Sequence, residues 1–218
     1  MQAQPVAILF DLDGTLIDSI GLIVGAMEYA FADRVRRPPV DEWTAAIGTP
    51  LDAMLRTWAE DESDMVQLRD RYREFQQSRH DAMTTAYPGV VETVHALAAA
   101  GHPLAVVTSK MEAGARRSLK FIGVEACFRA VIGIDATVKH KPEPEPVWLA
   151  LERLGGVARD RSIFVGDSTH DMHAGRAAGV ITAAATWGPF SREQLATADP
   201  AHWLDRMEDL PALVRRIS

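Results

Sequence analysis

The sequence predicts an α/β fold: a parallel, Rossmann-like three-layer core with an inserted helical-bundle cap. From about residue 87 onward, short apolar segments alternate with helical patterns, which is typical of a parallel sheet covered on both faces. Before this region, residues 18–80 carry several helical faces and no strand-like run. We therefore expect an α/β core of residues 1–15 and 85–218 and a four-helix cap of residues 16–84.

The predicted elements follow in order along the chain. The first strand is the uninterrupted apolar run Val6–Phe10, which indicates a strand buried on both faces. The breaks Pro38-Pro39 and Gly48-Thr49-Pro50 divide the predicted cap into about four helices. Later strands are predicted at Pro103–Thr108, Ala130–Ile134, Ser162–Val165 and Ile181–Thr186, with helices at Val90–Ala100, Met111–Ile122, Val147–Leu154 and Asp171–Ala178, and a last short strand and helix after residue 200.

Composition limits the possible partners. The chain has 218 residues, of which 47% are hydrophobic and 24% charged, as in ordinary globular proteins. Its net charge of −7 argues against nucleic acid, because phosphate backbones require a basic face. The single Cys127 permits no internal disulfide, and neither a secretory signal nor a run of transmembrane length is present. We expect a cytoplasmic protein without a membrane partner, either a monomer or a weak homodimer.

Two carboxylates, Asp11 and Asp13, follow the first predicted strand and precede Gly14. Like charges this close do not stay ionised without compensation, and Mg²⁺, which takes oxygen ligands, can supply it. Asp11 would then act as a nucleophile and Asp13 would carry a proton. The alternative is a plain strand-to-loop turn, since Asp and Gly are ordinary turn residues.

Further polar residues follow other predicted strands. Thr108 follows the second strand, Lys141 lies in the loop after the third, and Asp167 and Asp171 follow the fourth. Ligands of open parallel sheets bind outside the carboxyl ends of the strands, so these side chains are expected to converge with Asp11.

Each of these residues has an expected role. Asp11, Asp167 and the main-chain carbonyl of Asp13 would bind Mg²⁺. Thr108 would bind phosphoryl oxygens, and Lys141 would neutralise charge on the transferred group. Asp171 would act through water or orient a ligand, although a carboxylate is also favourable at a helix N-terminus for its own sake.

This pattern resembles the haloacid dehalogenase superfamily over nearly the whole chain. The resemblance is carried by Asp11-Leu12-Asp13-Gly14-Thr15, Val107-Thr108-Ser109, Lys141-Pro142 and Gly166-Asp167-Ser168-Thr169-His170-Asp171. It implies an Asp11 nucleophile, Asp13 as acid and base, Thr108 and Lys141 as phosphate ligands, and Mg²⁺ on Asp167. The second carboxylate and the metal site argue against dehalogenation. The absence of lysine from the predicted cap excludes the Schiff-base route of the phosphonate-cleaving members.

Finer likenesses concern the substrate. Stretches such as Thr108-Ser109-Lys110 and Lys141–Pro146 resemble the phosphoglycolate phosphatase and inorganic pyrophosphatase group. Gly48-Thr49-Pro50 resembles the substrate-contacting loop of the cap. We expect substrate contacts from Gly14, Thr15, Ser109, Gly48 and Thr49, support from Ser168, and a cap arginine (Arg56, Arg69, Arg71 or Arg73) near a second anionic group.

The leading hypothesis is a Mg²⁺-dependent phosphatase that hydrolyses a small phosphorylated metabolite, a phosphoglycolate-like monoester, through an aspartyl-phosphate intermediate. Inorganic pyrophosphatase and sugar-phosphate mutase use the same site and remain alternatives. A phospho-receiver module without turnover is a remote alternative, because such a module needs neither the cap nor the later pair of carboxylates.

Overall fold

The computed structural model describes residues 5–217 and confirms the α/β class. The strands are β1 (Ala7–Phe10), β2 (Ile17–Asp18), β3 (Thr85–Ala86), β4 (Leu104–Val107), β5 (Phe128–Ile132), β6 (Ser162–Gly166), β7 (Ile181–Ala185) and β8 (His202–Leu204). The helices are α1 (Ile20–Ala30), α2 (Val40–Ala45), α3 (Leu51–Arg56), α4 (Glu62–Arg79), α5 (Val90–Ala99), α6 (Glu112–Phe121), α7 (Glu145–Arg153), α8 (Thr169–Ala178), α9 (Arg192–Ala196) and α10 (Leu210–Ile217). Over the described residues, none of these helices combines the length and apolar character needed to cross a bilayer.

The main sheet has six parallel strands in the order β5-β4-β1-β6-β7-β8. Strand β1 is central: Ile8 is in register with Leu104 of β4 on one side and Ile163 of β6 on the other. Because the strands are parallel, the loops that follow β1, β4 and β6 leave the sheet at the same edge. This edge brings together the polar residues of the predicted site.

The side chains of β1 alternate between two hydrophobic layers. Ile8 and Phe10 pack in the layer formed with α5, α6 and α10, whereas Ala7 and Leu9 pack in the layer formed with α7 and α8. All four side chains are completely buried. This two-sided burial explains the uninterrupted apolar run and confirms the three-layer core.

Helices α1 to α4 enclose a hydrophobic cluster of their own. Phe31, Trp43 and Tyr72 are buried in it, and the ring centroids of neighbouring pairs lie 6.3 and 6.1 Å apart. This cluster lies within the predicted cap of residues 16–84. The domain limits themselves stay a prediction, and residues 1–4 and 218, assigned there to the core, lie outside the described residues.

Two short features join the cap to the core. Strands β2 and β3 form an antiparallel pair, in which Ile17 is in register with Ala86. Just beyond α4, the buried His80 contacts Asp81 Oδ1 through Nδ1 (2.7 Å) and Ser118 Oγ of α6 through Nε2 (2.8 Å). The end of α4 is therefore fixed to α6.

The third strand of the core differs from the sequence prediction by two residues. We expected Ala130–Ile134, but β5 spans Phe128–Ile132. Ile134 instead begins a single 3₁₀ turn, and its N–H donates to the carbonyl of Lys110 (3.0 Å). The predicted C-terminal end of this strand was wrong. Ile134 continues the apolar run of the sequence, but its backbone leaves the sheet to bond with the loop after β4.

Candidate active site

The chain turns sharply after β1 and presents Asp11 at the edge of the sheet. Its N–H still donates to the carbonyl of Val165 on β6 (2.9 Å), one residue beyond the end of β1. Gly14 follows with φ of +90°, and a Cβ atom here would lie 2.3 Å from Asp167 Oδ2. Glycine is required because the backbone passes too close to Asp167 for any side chain. The turn therefore places the carboxylates of Asp11 and Asp167 at one edge.

Lys141 bridges two of the predicted carboxylates. Its Nζ lies 2.7 Å from Asp11 Oδ1 and 2.7 Å from Asp171 Oδ1, and all three side chains are almost fully buried. Burial alone would lower the pKa of Lys141, but attraction to Asp11 and Asp171 outweighs it and raises the pKa. Lys141 is therefore a fixed cation beside the expected nucleophile.

Asp171 is held by the start of α8. Ser168 caps this helix: its Oγ accepts a hydrogen bond from the Asp171 N–H (3.2 Å), while Asp171 Oδ2 accepts from the Ser168 N–H (3.1 Å) and Oγ (2.6 Å). Both oxygens of Asp171 are thus engaged, one by Lys141 and one by Ser168. The structure shows Asp171 in the capping box of α8 and in contact with Lys141, whereas its expected action on a ligand stays a prediction.

Asp167 has a different environment. Thr15 Oγ1 donates a 2.6 Å hydrogen bond to its Oδ1, and Trp187 Nε1 in turn donates to the Thr15 carbonyl (3.0 Å). Within residues 5–217, Asp167 forms no ion pair with lysine or arginine. The expected substrate contact of Thr15 stays a prediction; in this structure its hydroxyl donates to the Asp167 carboxylate.

These buried acids are difficult to ionise together. Burial raises the pKa of Asp11 to about 7, with Lys141 opposing the shift and Asp171 adding to it. Burial also raises the pKa of Asp167 well above its usual range, and the charges of Asp11 and Asp171 add to the shift. Each of the three carboxylates places one oxygen within 4.8 Å of the others. Buried, crowded carboxylate oxygens are a donor set that fits Mg²⁺.

Asp13 has partners outside this cluster. Its Oδ1 accepts hydrogen bonds from Ser19 Oγ (2.5 Å) and from Lys110 Nζ (2.6 Å). No role was expected for Lys110 or Ser19 from the sequence. The available signal was the scarcity of lysine: the chain has four, and Lys110 directly follows the expected phosphate ligands Thr108 and Ser109.

The loop after β4 touches both the core and the cap. Thr108 is buried, and its Oγ1 accepts a hydrogen bond from the Lys110 N–H (3.1 Å). Ser109 Oγ donates to the carbonyl of Gly48, in the cap loop between α2 and α3 (2.6 Å). Gly48 has φ of +96° and lies against Ser168, whereas the Thr49 N–H donates to a cap carbonyl, that of Ala46 (3.0 Å). The cap loop is therefore closed over the carboxyl edge of the sheet.

The four cap arginines named as candidates make their observed contacts away from this edge. Three of them pair with carboxylates of the cap, and the fourth, Arg73, lies against Met111 Sδ. The three pairs are Arg56–Glu62, Arg69–Asp52 and Arg71–Asp33.

Comparisons with known proteins agree with the motifs. A family model described as Haloacid dehalogenase-like hydrolase matches residues 8–185. The Pyrophosphatase PpaX of Bacillus velezensis is 37% identical over 209 residues, which cover 94% of each chain. The Pyrophosphatase PpaX of Listeria monocytogenes is 34% identical over 219 residues, which cover 99% of each chain.

Solved structures agree with the fold. A predicted phosphoglycolate phosphatase from Haemophilus somnus superposes with a TM-score of 0.88, over 98% of this chain and 99% of that chain, at 24% identity. At this identity the likeness concerns the fold alone. The family model runs from β1 through β7, and with the two relatives it confirms both the resemblance and the expected hydrolase. The chain belongs to the haloacid dehalogenase-like hydrolase family.

Proposed function

We propose that this protein is a Mg²⁺-dependent phosphatase that works through a phosphorylated Asp11. One observation carries the proposal: the buried Lys141 bridges Asp11 and Asp171 at 2.7 Å, beside Asp167. A carboxylate nucleophile next to a fixed cation and a buried acidic cluster is what phosphoryl transfer requires, because this reaction depends mainly on alignment and charge neutralisation.

The proposed reaction has two steps. An Asp11 oxygen attacks phosphorus, a bond to phosphorus forms, and the bond from phosphorus to the leaving oxygen breaks. Asp13 gives its proton to that oxygen. Water then attacks the phosphorus of the acyl phosphate, Asp13 takes a proton from the water, and the bond between phosphorus and Asp11 breaks to release phosphate.

Asp11 and Asp167, with the main-chain carbonyl of Asp13, would hold the metal. When bound, Mg²⁺ would neutralise the charge of phosphoryl oxygens. Asp171 does not need to bind the metal directly, because both its oxygens are used to fix Lys141 and Ser168. Thr108 and Ser109 follow β4, the neighbour of β1, where phosphoryl oxygens would be expected.

Inorganic pyrophosphate is the proposed first substrate. The relatives from Bacillus velezensis and Listeria monocytogenes both bear the name pyrophosphatase and match almost end to end. A phosphoglycolate-like monoester, the leading expectation from the sequence, is the second candidate, and it uses the same site.

Phosphate release tests this proposal. Purified protein with Mg²⁺ would be assayed against pyrophosphate, phosphoglycolate and a panel of sugar phosphates. Wild type should release phosphate, Asp11→Asn should not, and EDTA should abolish release reversibly. Asp41→Asn, an exposed carboxylate of α2, is the matched control and should keep full activity.

Each alternative predicts a distinct result. A mutase would isomerise a sugar phosphate with little net release, and a receiver module would take up phosphate on Asp11 without turnover. Absence of release from every substrate, with the protein folded and Mg²⁺ present, would reject a phosphatase.

A further inference from the structure

Lys110 is the second lysine at the carboxyl edge, and its surroundings differ from those of Lys141. Lys141 and its partners have side-chain exposures of 0 to 6%, whereas the Lys110 and Asp13 side chains are 14% and 13% exposed. The Lys110–Asp13 pair therefore lies nearer to solvent, and Lys141 with Asp11 and Asp171 lies deeper in the site. A substrate approaching Asp11 with its phosphoryl group first would leave its other half beside Lys110.

The two lysines at this edge differ in the number of carboxylates with which they pair. Asp11 and Asp171 share Lys141, whereas the one ion pair that Lys110 makes within the described chain is with Asp13. The cap arginines that were expected to meet a second anionic group pair inside the cap or lie against Met111. Lys110 is therefore our candidate for the cation that meets negative charge on the leaving group.

We propose that Lys110 selects substrates whose leaving group carries a negative charge of its own, such as the second phosphate of pyrophosphate or the carboxylate of phosphoglycolate. This inference rests on the proposed function, since it takes Asp11 as the attacking group and Asp13 as the proton donor. An anionic leaving group shares the Lys110 ammonium with Asp13 and so lies within reach of the Asp13 proton. A leaving group without charge makes no ion pair with Lys110, although Asp13 can still protonate its oxygen.

Ser19 allows Lys110 to turn from Asp13 to the substrate while the Asp13 carboxylate keeps a hydrogen-bond partner. Its hydroxyl donates to the same oxygen, Asp13 Oδ1, at 2.5 Å, so the carboxylate keeps a partner when Lys110 turns to the substrate. The Lys110 backbone is fixed independently, because its N–H donates to Thr108 Oγ1 and its carbonyl accepts from Ile134. Only the side chain needs to move.

Paired substrates test the proposal. The Lys110→Met and Lys110→Arg variants would be compared with wild type on pyrophosphate, phosphoglycolate and phenyl phosphate, whose leaving group, phenol, carries no further anionic group. In Lys110→Met, we expect the ratio of kcat/KM for pyrophosphate to kcat/KM for phenyl phosphate to fall about 10- to 100-fold, mainly through KM. Lys110→Arg keeps the positive charge and should restore much of this ratio. The matched control Lys120→Met, on the outer face of α6, should leave the ratio unchanged.

An equal loss on both substrates would overturn the proposal, because it would mean that Lys110 acts only through Asp13. No loss on pyrophosphate would overturn it as well. A second measurement does not depend on turnover: with Mg²⁺ present, wild type should bind methylenediphosphonate at least tenfold more tightly than methylphosphonate, and Lys110→Met should not. Equal affinities in wild type would overturn the proposal even if phosphatase activity is found. If wild type has no activity but shows this preference, the proposed function fails and the assignment of Lys110 as an anion-binding residue stands.

Discussion

Thr15 and Asp167 are 152 residues apart in sequence, yet the Thr15 hydroxyl donates a 2.6 Å hydrogen bond to Asp167 Oδ1. Thr15→Val removes this bond while keeping the side chain's shape. We expect apparent Mg²⁺ affinity to fall about 10- to 100-fold, because groups that orient a metal ligand affect metal binding strongly. The rate of phosphate release at a series of Mg²⁺ concentrations gives this apparent affinity. Thr15→Ser keeps the hydroxyl and should behave like wild type; an unchanged Mg²⁺ dependence in Thr15→Val would contradict the role.

Asp13→Asn should separate the two chemical steps. Without a proton carrier, turnover should fall about 10²- to 10⁴-fold. p-Nitrophenyl phosphate has a leaving group that needs little protonation, so the first step should still occur and the second should be slow. Rapid mixing should then release about one equivalent of p-nitrophenol per enzyme before a slow phase. Steady turnover at the wild-type rate would exclude Asp13 as acid and base.

Mg²⁺ binding should depend on pH through Asp11. Burial raises the pKa of Asp11 to about 7, so below neutral pH the folded, metal-free protein holds a proton that Mg²⁺ must displace. Affinity should therefore rise with pH up to pH ~7, by at least about tenfold per unit, because Asp167, the other expected carboxylate ligand, also has a raised pKa. Calorimetric titration at a series of pH values would measure it. An affinity that is constant between pH 5 and 7 would show that Asp11 is already ionised there.

Ser109 should control closure of the cap. Its Oγ donates to the Gly48 carbonyl at 2.6 Å, a bond worth about 1 kcal/mol. Ser109→Ala should raise KM several-fold and increase protease cleavage or hydrogen exchange in the cap loop. Ser78→Ala is the control, because its hydroxyl bonds within α4 to the Phe75 carbonyl (3.0 Å). Unchanged KM and exchange in Ser109→Ala would mean that the bond does not hold the cap.

His80 should stabilise the junction between cap and core. Its ring is buried, both nitrogens have partners, and it packs edge-on against Phe121 with centroids 5.7 Å apart. His80→Ala should lower the free energy of unfolding by about 1–3 kcal/mol, measured in urea. His95→Ala, an exposed position on α5, should change it by less than about 0.5 kcal/mol. An unchanged midpoint in His80→Ala would contradict the role.

Periodicity and apolar runs predicted the fold well because they report burial. The two-sided burial of β1 and the aromatic core around Trp43 leave clear patterns in sequence. Strands β2 and β3 leave no such pattern, because two residues each are too short for alternation to appear. Their pairing depends on tertiary position rather than on local preference.

The site was predictable where a residue follows a strand and not where contacts cross the chain. Asp11 and Asp167 were placed at the sheet edge because parallel strands end together. The Asp13–Lys110 pair joins the loops after β1 and β4, and no local spacing encodes it. The same holds for Thr15, whose hydroxyl could equally have faced a ligand. The sequence predicts which residues lie in these turns, but it does not predict the direction in which their side chains point.

The central place of β1 also has a consequence for synthesis on the ribosome. The strand that carries Asp11 is translated first, but both of its neighbours, β4 and β6, emerge later, and the whole cap is made before either of them. A nascent chain that stops before Ser162 leaves one edge of β1 without a partner and lacks Asp167 and Asp171. The acidic cluster is therefore completed only late in translation.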